Sequence, residues 1–199
     1  NLSPENFREE IRTTKKILED ITGTLVEAYR APFFSITNES TWALGILSEE
    51  GYSIDCSISP VKTWRYGISN VPDEIFTIKE YGLIEYPVSA FNLFSKRIGI
   101  GGAYFRIFPY FFTKNALLAR KKNKKPNMFY IHPWEYDPEH PVVDMEKRAK
   151  ITHYTRLAKT FPYTKKLLKQ FKFDNVSNIV ELKKANGGLN EYSIEILRD

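Results

Sequence analysis

The chain has 199 residues, of which 42% are hydrophobic and 15% aromatic, and its formal net charge is +5. This length suits one globular domain, with room for a small appendage and a substantial core. No run of 18 apolar residues is present, so no transmembrane helix is predicted. The single cysteine, Cys56, excludes an internal disulfide and a cysteine-built zinc site.

The first sixty residues alternate between helical and extended patterns. Ser3 predicts the start of a helix, apolar residues then recur at helical spacing, and Gly23 predicts its end. A strand at 24–29, a helix at 40–50 and a strand at 53–58 are predicted next along the chain. This alternation is typical of parallel strands covered by helices, which is an α/β fold.

The rest of the chain has a different character. Residues 60–107 contain extended segments and the glycine-rich GIGGAYFR, and a helix is predicted at 109–120. The sequence MFYIH predicts a third parallel strand at 127–132, after which the pattern becomes helical and basic. The tail NGGLNEYSIEILRD fits either a last edge strand or a loose end.

Positive charge is concentrated in the second half of the sequence. Between Lys114 and Lys172 there are 15 Lys or Arg and 5 Asp or Glu, a local balance of +10. Such a surface attracts polyanions, including nucleic acid, anionic lipid head groups and acidic polysaccharides. Because no nucleic-acid recognition motif accompanies the charge, no nucleic-acid partner is predicted.

Three polar residues are predicted at the carboxyl ends of strands, where parallel α/β folds bind their ligands. They are Arg30, Asp55 and His132. Each also has an ordinary structural interpretation, as a surface cation, a helix or turn cap and a hydrogen-bonded core histidine. Together they predict a site, because an arginine can hold a carboxylate in its ionised form, a carboxylate can orient an imidazole, and an imidazole can pass a proton near neutral pH.

The strings RAPFFS, GYSIDCSISP and IHPWEYDPEHP, in this order, resemble the polysaccharide deacetylases of the fourth carbohydrate esterase family. GGAYFRIFPYFFT and the basic helical tail are similar to the branch found at exopolysaccharide and exosortase loci. The resemblance implies an incomplete distorted (β/α) barrel at residues 1–141 and a mostly helical basic extension at 142–199. It also implies hydrolysis of the acetamide C–N bond of an amino-sugar polysaccharide or oligosaccharide, which is the chemistry of a metal-dependent de-N-acetylase.

The resemblance assigns roles to the strand-end residues. His132 matches the general-acid histidine, Arg30 the arginine that steadies the catalytic aspartate, and Asp55 a residue that helps to orient the histidine. Pro32 matches a proline that shapes the floor of the substrate groove. Tyr104 and Trp134 are candidates for stacking on a sugar ring, and core packing is an equally good interpretation of both.

The family binds a divalent metal, typically zinc, through an Asp-Asp pair and a His-x3-His motif, and neither motif occurs in this sequence. The segment LSPENFREEIRTTKKILEDITG resembles the family segment directly after the His-x3-His motif. The chain therefore resembles a deacetylase cut after its second motif. We expect it to hold no metal and to be inactive alone, and self-association through an exposed barrel edge beside 24–29 is possible. The alternative is a non-catalytic carbohydrate-binding or scaffold protein with a deacetylase-like fold. Localisation stays open between cytoplasm and cell envelope.

Overall fold

A computed structural model describes residues 2–63, 66–94 and 96–198. The chain divides into two compact units, unit 1 with residues 1–88 and 175–199 and unit 2 with residues 89–174. The helices are α1 (Pro4–Thr22), α2 (Trp42–Glu49), α3 (Ala103–Ile107), α4 (Tyr110–Lys122), α5 (Lys147–Tyr154), α6 (Thr160–Gln170) and α7 (Val176–Ala185). The strands are β1 (Ala28–Tyr29), β2 (Ile54–Asp55), β3 (Phe76–Ile78), β4 (Leu83–Glu85), β5 (Ala90–Leu93), β6 (Lys96–Gly99) and β7 (Asn190–Tyr192).

Helix α1 begins and ends where its sequence predicts. The Ser3 hydroxyl accepts a hydrogen bond from the Asn6 amide at 3.2 Å and so satisfies one of the free N–H groups of the first turn. Gly23 closes the helix with a φ of +65°, a conformation that glycine adopts without steric cost. Phe7 and Ile11 are the buried residues of this helix, and both join the core of unit 1.

Unit 1 is built on a mixed five-stranded sheet with the order β1-β2-β4-β3-β7. Strands β1, β2 and β4 are parallel neighbours, β3 is antiparallel to β4, and β7 is parallel to β3. The parallel pairing predicted for 24–29 and 53–58 is confirmed, although the strands themselves are shorter. The described residues therefore form an α/β structure whose sheet does not close into a barrel.

The core of unit 1 packs the sheet against helices. Leu44, Leu47 and Phe76 have no exposed surface. The Tyr52 hydroxyl donates to the carbonyl of Ile11 at 3.1 Å, which joins the segment after α2 to α1.

Strand β1 lies at the edge of the sheet, and β2 is its strand partner among the described residues. Large apolar side chains beside it are exposed, with 85% of Leu25 and 76% of Ile21 accessible to solvent. The C-terminal strand β7 pairs with β3 at the opposite edge. Two exposed apolar side chains thus precede the edge strand along the chain, and self-association through this edge stays a prediction.

Unit 2 combines the β5–β6 hairpin with helices α3 to α6. Its buried cluster contains Ile100, Ala116, Leu117 and Leu167, with partly buried aromatic residues packed around them.

The strand predicted at 127–132 is not a strand in the structure. The Met128 amide donates to the Ser89 hydroxyl at 2.7 Å, and the Met128 carbonyl accepts from the Ser89 amide at 3.1 Å. Tyr130 O accepts from the Gly102 amide at 2.9 Å. Because the Ser89 hydroxyl accepts the bond that a strand carbonyl would accept in a ladder, the segment is held in place without regular strand pairing.

The glycine-rich GIGG segment allows this close approach. A Cβ at Gly101 would lie 2.6 Å from Tyr130 O, and one at Gly102 would lie 2.7 Å from the Tyr130 ring. Gly102 also has a φ of +56°, so a side chain there would strain the backbone and displace the Tyr130 ring. These glycines hold the segment that ends in His132.

The two compact units do not coincide with the predicted division of the chain into residues 1–141 and 142–199. Residues 142–174 belong to unit 2, and residues 175–199 return to unit 1. The predicted division separates a family-like barrel part from a family-specific extension, and it stays a prediction. None of the helices in the described ranges has the length and apolar character needed to cross a membrane.

Candidate functional site

His132 stands at the start of a 3₁₀ turn, Pro133–Tyr136, directly after the segment 127–131. Pro133 occupies the first position of this turn, where its fixed φ is favourable and its missing N–H costs nothing. The His132 side chain is half-exposed, at 50%. The local sequence thus presents an imidazole to solvent from a rigid backbone.

Glu135 fixes the orientation of this imidazole. One carboxylate oxygen, Oε1, accepts from the His132 amide at 3.0 Å and lies 2.8 Å from His132 Nδ1. The same oxygen thus meets both the backbone and the ring of His132, and the Glu135 amide donates to the His132 carbonyl at 3.0 Å, which closes the turn. The ring therefore cannot rotate without losing a hydrogen bond to a side chain that is only 1% exposed.

Arg106, on α3, holds Glu135 in turn. Its Nε donates to Glu135 Oε2 at 2.6 Å, and both side chains are 1% exposed. Its other nitrogens donate to the carbonyls of Thr152, His153 and Thr155 at 2.7–3.1 Å. The buried Arg106 guanidinium thus donates hydrogen bonds to carbonyl groups at the C-terminal end of α5 and also neutralises the charge of Glu135.

The protonation state of this group of residues depends on these contacts. Burial raises the pKa of Glu135, but hydrogen bonds from His132 and the ion pair with Arg106 more than offset it, so the net pKa is lowered and the carboxylate is ionised. An ionised carboxylate only accepts hydrogen bonds, so His132 Nδ1 carries a proton. The proton that His132 can exchange is therefore the one on Nε2.

Of the two aromatic candidates for substrate stacking, Trp134 lies beside the imidazole. Its ring is 5.7 Å from that of His132, and the ring of His153 stacks on it at 3.9 Å and 9°. Tyr104 stacks on Phe108 instead, at 6.4 Å and 6°. Neither side chain is fully buried. Sugar contact stays a prediction for both residues.

Arg30 and Pro32 lie after strand β1 in unit 1. The Arg30 Nε donates to the carbonyl of Cys56 at 3.2 Å, and the Arg30 side chain is exposed. Pro32 begins a 3₁₀ turn, and the Ala31 amide before it donates to the Ser57 hydroxyl at 2.8 Å. The ends of β1 and β2 are thereby tied together at the sheet edge where both predicted residues stand.

Asp55 is fully buried at the end of β2 and pairs in register with Glu85 on β4. The Ser57 hydroxyl donates to Asp55 Oδ1 at 2.5 Å, and the Ile58 amide donates to Glu85 Oε1 at 3.2 Å. Burial raises the pKa of both carboxyls, and the neighbouring Asp55 charge raises that of Glu85 further. Asp55 Oδ2 and Glu85 Oε2 are buried without a hydrogen-bond partner among the described residues. The raised pKa values favour a proton on this pair, and that proton would supply the donor that two carboxylates lack.

The predicted residues thus fall into two groups, with Arg30, Pro32 and Asp55 in unit 1 and Tyr104, His132 and Trp134 in unit 2. In unit 2 the carboxylate that contacts the His132 ring is that of Glu135, and the orienting role assigned to Asp55 stays a prediction. Sequence reasoning missed Glu135, Arg106 and Glu85. The spacing His-x-x-Glu was a usable local signal for Glu135, whereas Arg106 and Glu85 meet their partners only through tertiary structure.

The metal implied by the family resemblance does not fit the residues of this chain. The Asp-Asp and His-x3-His motifs are absent from the sequence. Within the described ranges, no three or more His, Cys, Asp or Glu side chains converge on a common point. A catalytic zinc ion normally has three protein ligands, so no chemical step is assigned to that metal.

Charge divides sharply between the two units. Unit 2 has 18 Lys or Arg and 6 Asp or Glu, a balance of +12, whereas unit 1 has the remaining 11 and 18, a balance of −7. The half-exposed imidazole therefore belongs to a strongly basic unit, which attracts anionic ligands.

Comparison with known proteins gives a family but no described relative. Neither a curated protein nor a solved structure matches the chain. One family model, described as a domain of unknown function (DUF3473), matches residues 56–181. The match includes Arg106, His132 and Glu135 and extends over more than half of the sequence, so the chain belongs to the DUF3473 family.

Proposed function

We propose that this chain carries the proton-donating half of a hydrolase that removes N-acetyl groups from an amino-sugar polysaccharide. The observation that supports this proposal is the buried Arg106–Glu135 pair that orients a half-exposed imidazole. A carboxylate that holds Nδ1–H of a histidine leaves Nε2 to donate and accept protons, which is the arrangement that general acid catalysis requires. The HPWE string and the resemblance to the polysaccharide deacetylases supply the substrate class.

His132 acts at the departing nitrogen. After water has added to the acetamide carbonyl, the C–N bond breaks and its electron pair moves to nitrogen. Nε2–H of the imidazolium protonates that nitrogen, so the products are acetate and the free amine. Glu135 stabilises the imidazolium by charge and keeps its ring in one orientation, while Arg106 keeps Glu135 ionised. The roles that the resemblance assigns to Arg30 and Asp55 stay predictions that rest on the resemblance alone.

The charge of unit 2 narrows the substrate class. A net charge of +12 favours a polymer that carries acidic groups in addition to its N-acetyl groups. Binding of such a polymer should weaken with ionic strength, since exposed charges are screened within about 8 Å at physiological salt.

The test is acetate release from N-acetylated oligosaccharides by the intact gene product that contains this chain. We expect His132→Ala to lower kcat by roughly 10²–10⁴-fold with little change in substrate affinity, because a general acid acts on the transition state. Glu135→Gln should lower kcat less, since the ring remains. Glu139→Gln is the matched control, because it changes an exposed carboxylate four residues further on.

The outcomes separate the candidate functions. Binding of the oligosaccharide without acetate release by the wild-type protein would favour the alternative, a non-catalytic carbohydrate-binding protein. An unchanged kcat per folded molecule in His132→Ala would remove the histidine from the mechanism.

A further inference from the structure

A second histidine cluster lies in unit 2, outside the group formed by Arg106, Glu135 and His132. His140, in the loop after the Pro133–Tyr136 turn, and His153, near the end of α5, bring their Nε2 atoms within 3.1 Å of each other, at hydrogen-bond distance. A cation bound by both nitrogens would take the place of the proton that they share. Their ring planes are inclined by 76°. Both side chains are half-buried.

The hydrogen bond made by His140 Nδ1 determines the protonation of His140 Nε2, the atom next to His153. His140 Nδ1 lies 2.5 Å from the carbonyl oxygen of Asp137. A carbonyl only accepts hydrogen bonds, so Nδ1 carries the proton and Nε2 presents a lone pair. Histidines that bind metals almost always have this arrangement, with the other ring nitrogen donating to a carbonyl or carboxylate.

Neighbouring aromatic rings hold both imidazoles in place. His153 stacks on Trp134 at 3.9 Å and meets the edge of Tyr154 at 4.6 Å. Tyr154 also stacks on His140, at 5.2 Å and 18°. Its hydroxyl donates to the carbonyl of Pro141 at 3.2 Å, which fastens the loop to α5. The two nitrogens are therefore preorganised by groups other than a ligand.

The distance between the two Nε2 atoms suits a shared cation. With metal–nitrogen bonds of about 2.05 Å, two imidazoles are separated by about 2.9 Å at a right angle and about 3.4 Å at the tetrahedral angle. The observed 3.1 Å lies between these values. Imidazole nitrogen favours zinc, copper and nickel over magnesium and calcium, which prefer oxygen.

We propose that His140 and His153 form a two-histidine site for a divalent transition-metal ion, with Cu²⁺, Ni²⁺ and Zn²⁺ preferred over Mg²⁺. Because no third His, Cys, Asp or Glu joins them in the part of the chain that the structure describes, water or an anionic ligand completes the coordination. The site differs in its residues from the motifs of the deacetylase family, and it does not depend on the function proposed for His132.

The site should be weaker than a structural zinc site. Half of the ligands of a four-coordinate site supply roughly half of its binding free energy, so we expect Kd on the order of 10⁻⁴–10⁻⁶ M for Ni²⁺ and Zn²⁺. Binding should bridge the loop after Asp137 to α5 and so raise the melting temperature of the protein as the site becomes saturated.

Isothermal titration calorimetry of the 199-residue chain with NiCl₂, ZnCl₂ and MgCl₂ tests the proposal. We expect one saturable site for Ni²⁺ and Zn²⁺ and none for Mg²⁺. His140→Ala and His153→Ala should each weaken Ni²⁺ binding at least about tenfold, since each removes one of two ligands. His132→Ala, which removes the third histidine of the chain, should leave Ni²⁺ affinity unchanged.

A second measurement needs no variant. Ni²⁺ is paramagnetic, so titration into the wild-type protein should broaden the imidazole NMR signals of His140 and His153 before those of His132. Absence of saturable Ni²⁺ binding would overturn the proposal. So would retention of wild-type affinity in both alanine variants, or broadening of His132 first.

Discussion

Replacing Glu135 by alanine removes the counter-ion of a guanidinium that is 1% exposed. Arg106 would keep its three bonds to carbonyl oxygens but would carry an uncompensated charge in the interior. Breaking one partner of a buried ion pair in this way costs about 3–5 kcal/mol. The remaining carbonyl contacts place the expected loss of unfolding free energy towards the lower end, at ~3 kcal/mol.

Glu135→Gln should cost less, roughly 1–3 kcal/mol, because the amide keeps an acceptor for one neighbour but loses the charge. The pKa of Glu135 is lowered in the folded protein, where the bonds to His132 and Arg106 outweigh burial. Its stabilising contribution is therefore present above the unfolded carboxyl pKa and is lost as the pH falls through the folded pKa. The stability difference between wild type and Glu135→Gln should accordingly shrink in acid.

Urea unfolding followed by tryptophan fluorescence measures these effects, since Trp134 packs 5.4 Å from the Arg106 guanidinium. A loss of ~3 kcal/mol corresponds to a melting-temperature decrease of roughly 6–12 °C for a chain of this size. Glu139→Gln, on the exposed side of the loop, should stay within about 0.5 kcal/mol of wild type. If Glu135→Ala matched Glu139→Gln in stability, the buried pair would not hold the histidine as described.

Three other predictions concern unit 1. Burial and the Asp55 charge raise the pKa of Glu85, so the wild-type protein loses stability as the pH rises from the unfolded carboxyl pKa towards the folded one. Glu85→Gln should keep the protein folded and gain stability relative to wild type over that pH range, and a pH series of urea midpoints would show a flatter profile for the variant. Hydrogen bonds from Arg12 and Arg8 lower the pKa of Glu50 to about 2, so this carboxylate stabilises the wild type at neutral pH and stops doing so as the pH falls towards 2. Glu50→Gln should remove that stability. If the bonds were unimportant, acid titrations of the two proteins by circular dichroism would coincide. Leu25→Ser should reduce self-association in sedimentation velocity, since this side chain is 85% exposed beside an edge strand; equal sedimentation of the two proteins would contradict the edge prediction.

Local chemistry accounts for the parts of the fold that could be predicted from the sequence. The limits of α1 depend on Ser3, Pro4 and Gly23, all within one turn of the helix ends, and the prediction for them is close to the observed limits. Helix α4, predicted at 109–120, spans Tyr110–Lys122. Parallel pairing of β1 with β2 is a consequence of helix–strand alternation, which constrains neighbouring elements in the chain.

Non-local contacts account for the parts that could not be predicted. The apolar run before His132 has the composition of a strand, but its partners include the hydroxyl and amide of a serine and the amide of a glycine, and composition does not reveal partners. The His132–Glu135 contact spans three residues and was readable from the spacing. The Arg106–Glu135 pair spans 29 residues, and no local pattern indicates it.

The pairing of β7 with β3 makes unit 1 discontinuous along the chain. The Asn190 side-chain amide donates to Glu74, 116 residues earlier, and the Ile194 amide donates to Glu80. During synthesis the last strand leaves the ribosome only after all of unit 2 has been made, so residues 89–174 can reach their final structure while β3 still has an open edge. Pairing over such a distance along the chain also slows folding, because a large loop must close before the contact forms. The nascent chain therefore depends on residues 175–199 to complete a sheet that residues 1–88 began.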